Sequence, residues 1–118
     1  MHFYKKDIGH QEFAILDYMR LAPAKRSLHL LYMDSFCHDS TSRIGLIFDR
    51  ALCDFGHIKL AQFSFKRVVE IATSVFCGLS ALHTTYNLVH TDLKPQNIFI
   101  FADSVKIADF GHAIFSKP

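Results

Sequence analysis

Apolar residues first recur in this chain at helical spacing. Ile8, Ile15, Leu16 and Met19, with Glu12 on the same face, predict a helix over residues 8 to 20 that stops at Ala22, ahead of Pro23. Leu28 to Phe36 and Ile44 to Phe48 are apolar runs of strand length. Separated by the polar His38-Asp39-Ser40-Thr41-Ser42, they predict an antiparallel pair. From Phe65 to His83 the apolar positions are Val68, Ile71, Ala72, Val75, Leu79 and Leu82, and Val69 and Phe76 add a second apolar face, so this segment reads as a largely buried helix. Two short runs, Ile98 to Phe101 and Val105 to Ala108, flank Ala102-Asp103-Ser104 and predict a tight hairpin.

Composition narrows the class. A chain of 118 residues, 50% of them hydrophobic, supports one modest core rather than two. Thirteen basic residues against eleven acidic leave a formal charge of +2, too small a field to favour nucleic acid or an anionic membrane as partner. Cys37, Cys53 and Cys77 are far apart and form no C-x-x-C, which argues against a zinc knuckle or a disulfide framework. They are expected to be core residues in a reducing compartment. No stretch has the composition of a signal peptide or of a continuous apolar bilayer span, so a soluble, intracellular protein is expected.

The chemistry is concentrated in two tracts that flank the predicted hairpin. The first is His90-Thr91-Asp92-Leu93-Lys94-Pro95-Gln96-Asn97, and the second is Asp109-Phe110-Gly111. In order and spacing they resemble the catalytic loop H-x-D-L-K-P-x-N and the D-F-G of protein kinases. Asp54-Phe55-Gly56 repeats the tripeptide, but no catalytic loop precedes it, and it is read as coincidence. The resemblance implies an α+β fold: the end of a kinase N-lobe with its helix C, the hinge, and the start of the C-lobe through the D-F-G. It covers about residues 12 to 116.

Phosphoryl transfer is catalysed mainly by positioning and charge neutralisation, which is why such a site needs carboxylates, an amide and a lysine. The resemblance implies that Asp92 orients the substrate hydroxyl and accepts its proton, with Lys94 beside the transferring phosphate. It makes Asn97 and Asp109 ligands for Mg²⁺, a hard cation that prefers oxygen. ATP would lie with Phe48 as gatekeeper, Asp49 to Ala51 as hinge, Asp54 at the ribose, Phe99 beneath the adenine and Ala108 just before the metal ligand. Gly111 would permit the backbone turn that follows. Glu12 matches the glutamate of helix C; its lysine partner is not recognisable, because Lys5 and Lys6 lie too close to it in sequence and read as solvated charges. Glu12 is therefore expected either to fray into solvent or to find a makeshift cation.

Thr91 stands where most kinases carry an arginine that pairs with a phosphate, and threonine cannot make that pair. With Asp109-Phe110-Gly111-His112-Ala113 and Glu12-Phe13-Ala14-Ile15-Leu16, it makes the chain look like the CDC-like (LAMMER) dual-specificity kinases. Gln96 and His112 depart from that pattern. The branch implies protein substrates, Arg/Ser-rich splicing factors among them, and the nucleus. Residues 1–118 are expected to be one incomplete kinase domain, lacking a glycine-rich loop before Glu12 and an activation segment after Gly111. The isolated chain is expected to be inactive, with Val69 and Phe76 exposed to a partner or a missing lobe. Three readings stay open: part of an active kinase, a truncated non-catalytic module binding a partner or weakly binding nucleotide, and an unrelated small domain.

Overall fold

The computed structural model describes residues 2–5, 10–38 and 44–116, with the backbone alone at 2–5, 10 and 60. Strand β1 (His2–Lys5) leads to helix α1 (His10–Leu21), then β2 (Ser35–His38), β3 (Ile44–Phe48) and β4 (Cys53–Asp54). Two 3₁₀ turns precede the long helix α2 (Phe65–Tyr86), which is followed by β5 (Leu88–Val89), a third 3₁₀ turn (Pro95–Asn97), β6 (Ile98–Ile100), β7 (Val105–Ile107) and β8 (Ile114–Phe115). Among the described residues the strands form three antiparallel sheets, ordered β1-β3-β2, β4-β6-β7 and β5-β8.

Helix α1 forms as the periodicity predicts from residue 10 onward, Ile8 lying outside the described residues, and buries one stripe: Glu12, Ile15, Leu16 and Met19. Strand β1 has no counterpart in the sequence reading. It runs antiparallel to β3 in the register His2↔Phe48 to Lys5↔Gly45, so the backbone of Lys5 belongs to a strand preceding α1, which corrects the reading that set this stretch aside. The side chains of Lys5 and Lys6, and the polar turn at 39–42, lie outside the described residues.

The expected strand from Leu28 to Phe36 forms only at its end. Ser35–His38 pairs with β3, beginning from Asp34 N–H donating to the Ile47 carbonyl at 2.8 Å. The earlier residues instead thread the core, with Leu30 and Met33 fully buried. Their backbone binds β7 from the side: Leu31 N–H donates to the Ile107 carbonyl and Ile107 N–H to the His29 carbonyl, each at 2.9 Å. A continuous apolar run reports burial, and here burial came without a ladder to β3.

Helix α2 is capped at both ends. Ser64 accepts from Arg67 N–H at 3.1 Å, and Asn87 closes the C-terminus in the left-handed region at φ 53°. By length and composition it could cross a membrane. Here it lies on the hairpin, with Ile71 packed among Ile100 and Val105 and Gly78 near Ile107, and its Tyr86 end packs on Tyr18 and Tyr32. The expectation of a largely buried helix needs correcting, because Phe65, Val69 and Phe76 are exposed, Phe76 to 71%, which leaves the second apolar face at Val69 and Phe76 on the surface. The cysteines also differ from expectation. Cys37 and Cys77 are exposed and Cys53 is partly so, all with free thiols, because Cys37 sits at the outer end of β2 and Cys77 on the side of α2 away from the hairpin.

Tyr86 completes the core. Its hydroxyl lies 2.7 Å from that of Tyr32, which accepts from Ser27 N–H at 2.9 Å. Burial, reinforced by the Tyr32 hydrogen bond, pushes the Tyr86 hydroxyl well above the usual phenol range.

Gly78 is where α2 comes nearest the threaded segment, since a Cβ there would sit 2.7 Å from the His29 carbonyl oxygen and 3.0 Å from Ile107 Cδ1. Alanine gains about 1 kcal/mol of helix propensity over glycine, but forced overpacking costs about 1–3 kcal/mol. Gly78→Ala is therefore expected to lower the melting temperature, whereas Thr73→Ala on the exposed side is not. A rise in melting temperature for Gly78→Ala would contradict this packing.

Candidate active site

The hairpin β6–β7 sets the floor of the site. Its strands pair from Ile98↔Ile107 to Ile100↔Val105, Phe101 N–H closes the turn onto the Ser104 carbonyl at 2.8 Å, and Ala108 N–H binds the Asn97 carbonyl at 2.8 Å. Asn97 and Asp109 consequently flank the open end of one hairpin. Pro95 pre-sets the short 3₁₀ turn that delivers Asn97.

Over this floor lies a cleft of about 520 Å³, within the range of small-ligand sites. Leu31, Leu46, Phe48, Ala51, Phe99 and Ala108 give it apolar walls; Glu12, Asp49, Arg50, Asp54, Gln96, Asn97 and Asp109 supply polar groups. The structure thus brings Phe48, Asp49, Ala51, Asp54, Phe99, Ala108, Asn97 and Asp109 to one cavity. Asp92 and Lys94 do not line it. Both are tied to Asn97, whose Nδ2 donates to the Asp92 carbonyl at 2.8 Å and whose backbone N–H donates to the Lys94 carbonyl at 2.9 Å. Leu31, Leu46 and Cys53 also line the cleft, and nothing in the sequence places them there; Arg50 lines it within the expected hinge. Cys53 stands just past the hinge stretch and pairs with Ile100 of the hairpin, a contact that only the fold reveals.

Asp54 carries a second commitment, since both its carboxylate oxygens lie 2.8 Å from His57 Nδ1. The neighbouring Gly56 packs against Asp54 and Gln96, so the first Asp-Phe-Gly is built into the turn after β4. Glu12 is 8% exposed and turned inward. Its carboxylate comes to 3.4 Å from where a Gly111 Cβ would stand, which excludes the frayed alternative.

His90 is the buried pivot of the loop, at 2% exposure. Its Nε2 lies 2.8 Å from the Ala108 carbonyl and its Nδ1 accepts Asp92 N–H at 3.2 Å. A carbonyl can only accept and an amide N–H only donate, so the ring is the Nε2–H tautomer. Phe110 packs edge-on against it at 5.4 Å. The Asp92 carboxylate meets Lys94 Nζ at 3.5 Å and His112 Nδ1 at 3.6 Å, loose distances for ion pairs on partly exposed side chains.

Gly111 and His112 form a turn, as the resemblance implies, and it is made without a left-handed glycine. No glycine among the described residues has positive φ; Asp109 does, at 61°, and Gly111 N–H donates to Asp109 Oδ1 at 3.2 Å. A Cβ at Gly111 would stand 3.2 Å from Asp109 Oδ1 and 3.4 Å from the Glu12 carboxylate, a close fit against side-chain ends that small shifts could relieve. Long-range ¹⁵N correlation spectra of the imidazoles are expected to show His90 protonated at Nε2; an Nδ1–H ring would contradict the described loop.

The protein kinase domain model matches residues 7–118. A probable cell division protein kinase of Encephalitozoon cuniculi is 51% identical over 47 residues, 39% of this chain and 17% of that protein. The mitosis inhibitor protein kinase SWE1 of Candida albicans is 40% identical over 82 residues, 69% of this chain and 6% of that protein. Among solved structures, the yeast RNA Pol II CTD kinase CTDK-1 complex contains a chain that superposes with a TM-score of 0.74 at 21% identity, covering 98% of this chain and 39% of that one. The chain spans well under two thirds of the length of these relatives. On the family match and the shared fold, the chain belongs to the protein kinase domain family.

Proposed function

We propose that these residues form the nucleotide cleft and catalytic loop of a serine/threonine or dual-specificity protein kinase, which passes the γ-phosphate of ATP to protein hydroxyls. The observation that carries this reading is the convergence of Asn97 and Asp109 on one apolar-walled cleft, with the Asn97 amide tied to the Asp92 backbone. The cleft suits a purine: Phe48 and Phe99 provide flat apolar surface, Asp49 to Ala51 provide backbone polar groups at its edge, and Ala108 lies beside Asp109. Asp54 would reach the ribose by exchanging its contact with His57.

The donor set fits magnesium. With Nδ2 of Asn97 donating to a carbonyl, its Oδ1 is the atom left to act as ligand, and Asp109 adds a carboxylate; both are hard oxygen donors. Bound there, the ion would neutralise phosphate charge. Asp92 would orient the attacking hydroxyl and accept its proton, while Lys94 would place positive charge beside the transferring group. The short His90 contacts keep Asp92 in register with Asp109, and such register is where much of this catalysis resides.

The finer assignment to the CDC-like branch, with Arg/Ser-rich protein substrates and a nuclear site of action, is supported by His90-Thr91-Asp92-Leu93-Lys94-Pro95 and by Asp109-Phe110-Gly111 with Ala113 two residues on, while Gln96 and His112 depart from it. We place phosphate transfer itself in a fuller kinase fold, because these 118 residues correspond to 39% of the solved kinase chain. The exposed Val69 and Phe76 favour a covering partner or lobe.

Calorimetric titration of the 118-residue chain with ATP is expected to show binding strengthened by Mg²⁺. Asp109→Asn should weaken that Mg²⁺-dependent part roughly tenfold or more, as loss of a charged ligand implies, while Asp103→Asn at the hairpin turn leaves it unchanged. No Mg²⁺-dependent binding by the unaltered chain would overturn the reading. Phosphate incorporation into an Arg/Ser-rich peptide should be negligible for the 118 residues alone; robust transfer lost in Asp92→Asn would show that they suffice. The branch assignment is tested with the kinase recovered from its own cells by an antibody to this chain. It should prefer the Arg/Ser-rich peptide to one with glutamine at each arginine, and equal rates would refute the preference.

A further inference from the structure

His90 and Thr91 are consecutive, and each takes hold of a backbone carbonyl on a different side of Asp109-Phe110-Gly111. His90 Nε2–H donates to the Ala108 carbonyl at 2.8 Å, and the Thr91 hydroxyl donates to the His112 carbonyl at 2.7 Å. The loop therefore grips the Asp109 segment at both ends. Between the two grips, Asp109 itself holds a left-handed backbone at φ 61°.

Thr91 reaches its carbonyl from φ 69°. For a β-branched residue that region is an outlier, and it persists only where the surroundings over-determine it. Glycine or asparagine would occupy the position with less strain. Burial does not compel the bond either, because Thr91 is exposed and water could satisfy its hydroxyl. What the threonine adds is a fixed tie across 21 residues of sequence to a segment that also presents the His112 ring to Asp92 at 3.6 Å.

We infer that Thr91 is a positioning residue: its hydroxyl fixes segment 109–112 against loop 90–92 by an uncharged hydrogen bond and so sets the Asp109 carboxylate for a divalent cation. The cation part rests on the proposed magnesium site. A merely structural threonine would matter through strain and stability alone, and three substitutions separate the two. Thr91→Val keeps the shape and loses the donor, Thr91→Ser keeps the donor, and Thr91→Gly relieves the backbone while losing the donor.

Each variant of the 118-residue chain is titrated with ATP with and without Mg²⁺, its melting temperature is recorded, and amide exchange is followed at residues 109–113. Thr91→Val and Thr91→Gly are expected to lose roughly three- to tenfold of the Mg²⁺-dependent gain in affinity, as removal of one hydrogen bond implies, with Thr91→Ser within about twofold of the parent. Nucleotide affinity without metal should stay level. Thr91→Gly should show the loss even where its melting temperature is unchanged or raised. Parent-like Mg²⁺ dependence in Thr91→Val and Thr91→Gly, or an equal loss in Thr91→Ser, would overturn the inference. If the parent shows no Mg²⁺ dependence, the cation part falls with the magnesium site, and exchange decides the rest. Faster exchange at 109–113 in Thr91→Val and Thr91→Gly alone supports the tie, and equal exchange in all four proteins refutes it.

Discussion

The site depends on a buried imidazole with both ring nitrogens engaged. His90 binds the carbonyl that precedes Asp109 and receives the amide of Asp92, so one ring sets the spacing between the residue assigned to the hydroxyl and the residue assigned to the metal. Leaving either partner unmade in the interior would cost about 1–3 kcal/mol. Phe110 against the ring and Asn97 against the Asp92 carbonyl reinforce the same arrangement from two further directions. Removing the ring would therefore disturb the relation between the two halves of the site before it disturbed either half.

That arrangement needs a rigid floor, which the hairpin and α2 provide. The threaded segment at 29–31 is clamped between them: it bonds the Ile107 backbone on one side, and on the other it lies so close to α2 that only glycine fits at position 78. Tyr86, Tyr32 and Ser27 extend the clamp along the helix. The opposite side of α2, with Phe65, Val69 and Phe76, makes no contribution to the site. A chain that spans only part of its relatives' length can thus hold a well-formed cleft and still present an apolar face.

Legibility in the sequence followed the range of the interaction. The α1 stripe, the α2 repeat and the β6–β7 hairpin are set by residues a few positions apart, and their patterns declare them. The tract from His90 to Asn97 was legible because its chemistry is contiguous. The cleft wall is assembled from Glu12 to Asp109, and Leu31 or Cys53 carries no local sign of belonging to it. Leu28 to Asp34 misled because full burial and strand pairing leave the same apolar run. Among the described residues, Asn87, Thr91 and Asp109 are left-handed with no glycine to mark them, whereas Gly111 stands in a turn without such a conformation.

Whether loop 90–97 and the β6–β7 hairpin serve the single cation-and-nucleotide site proposed for them is decided by titrating the ¹⁵N-labelled chain with Mn²⁺ and ATP and mapping paramagnetic broadening residue by residue. Amides of Asn97, Asp109 and Gly111 are expected to broaden first, followed by those around Asp92, with α2 residues such as Phe76 unaffected. Broadening centred elsewhere, or spread evenly over the exposed carboxylates, would contradict the proposed site.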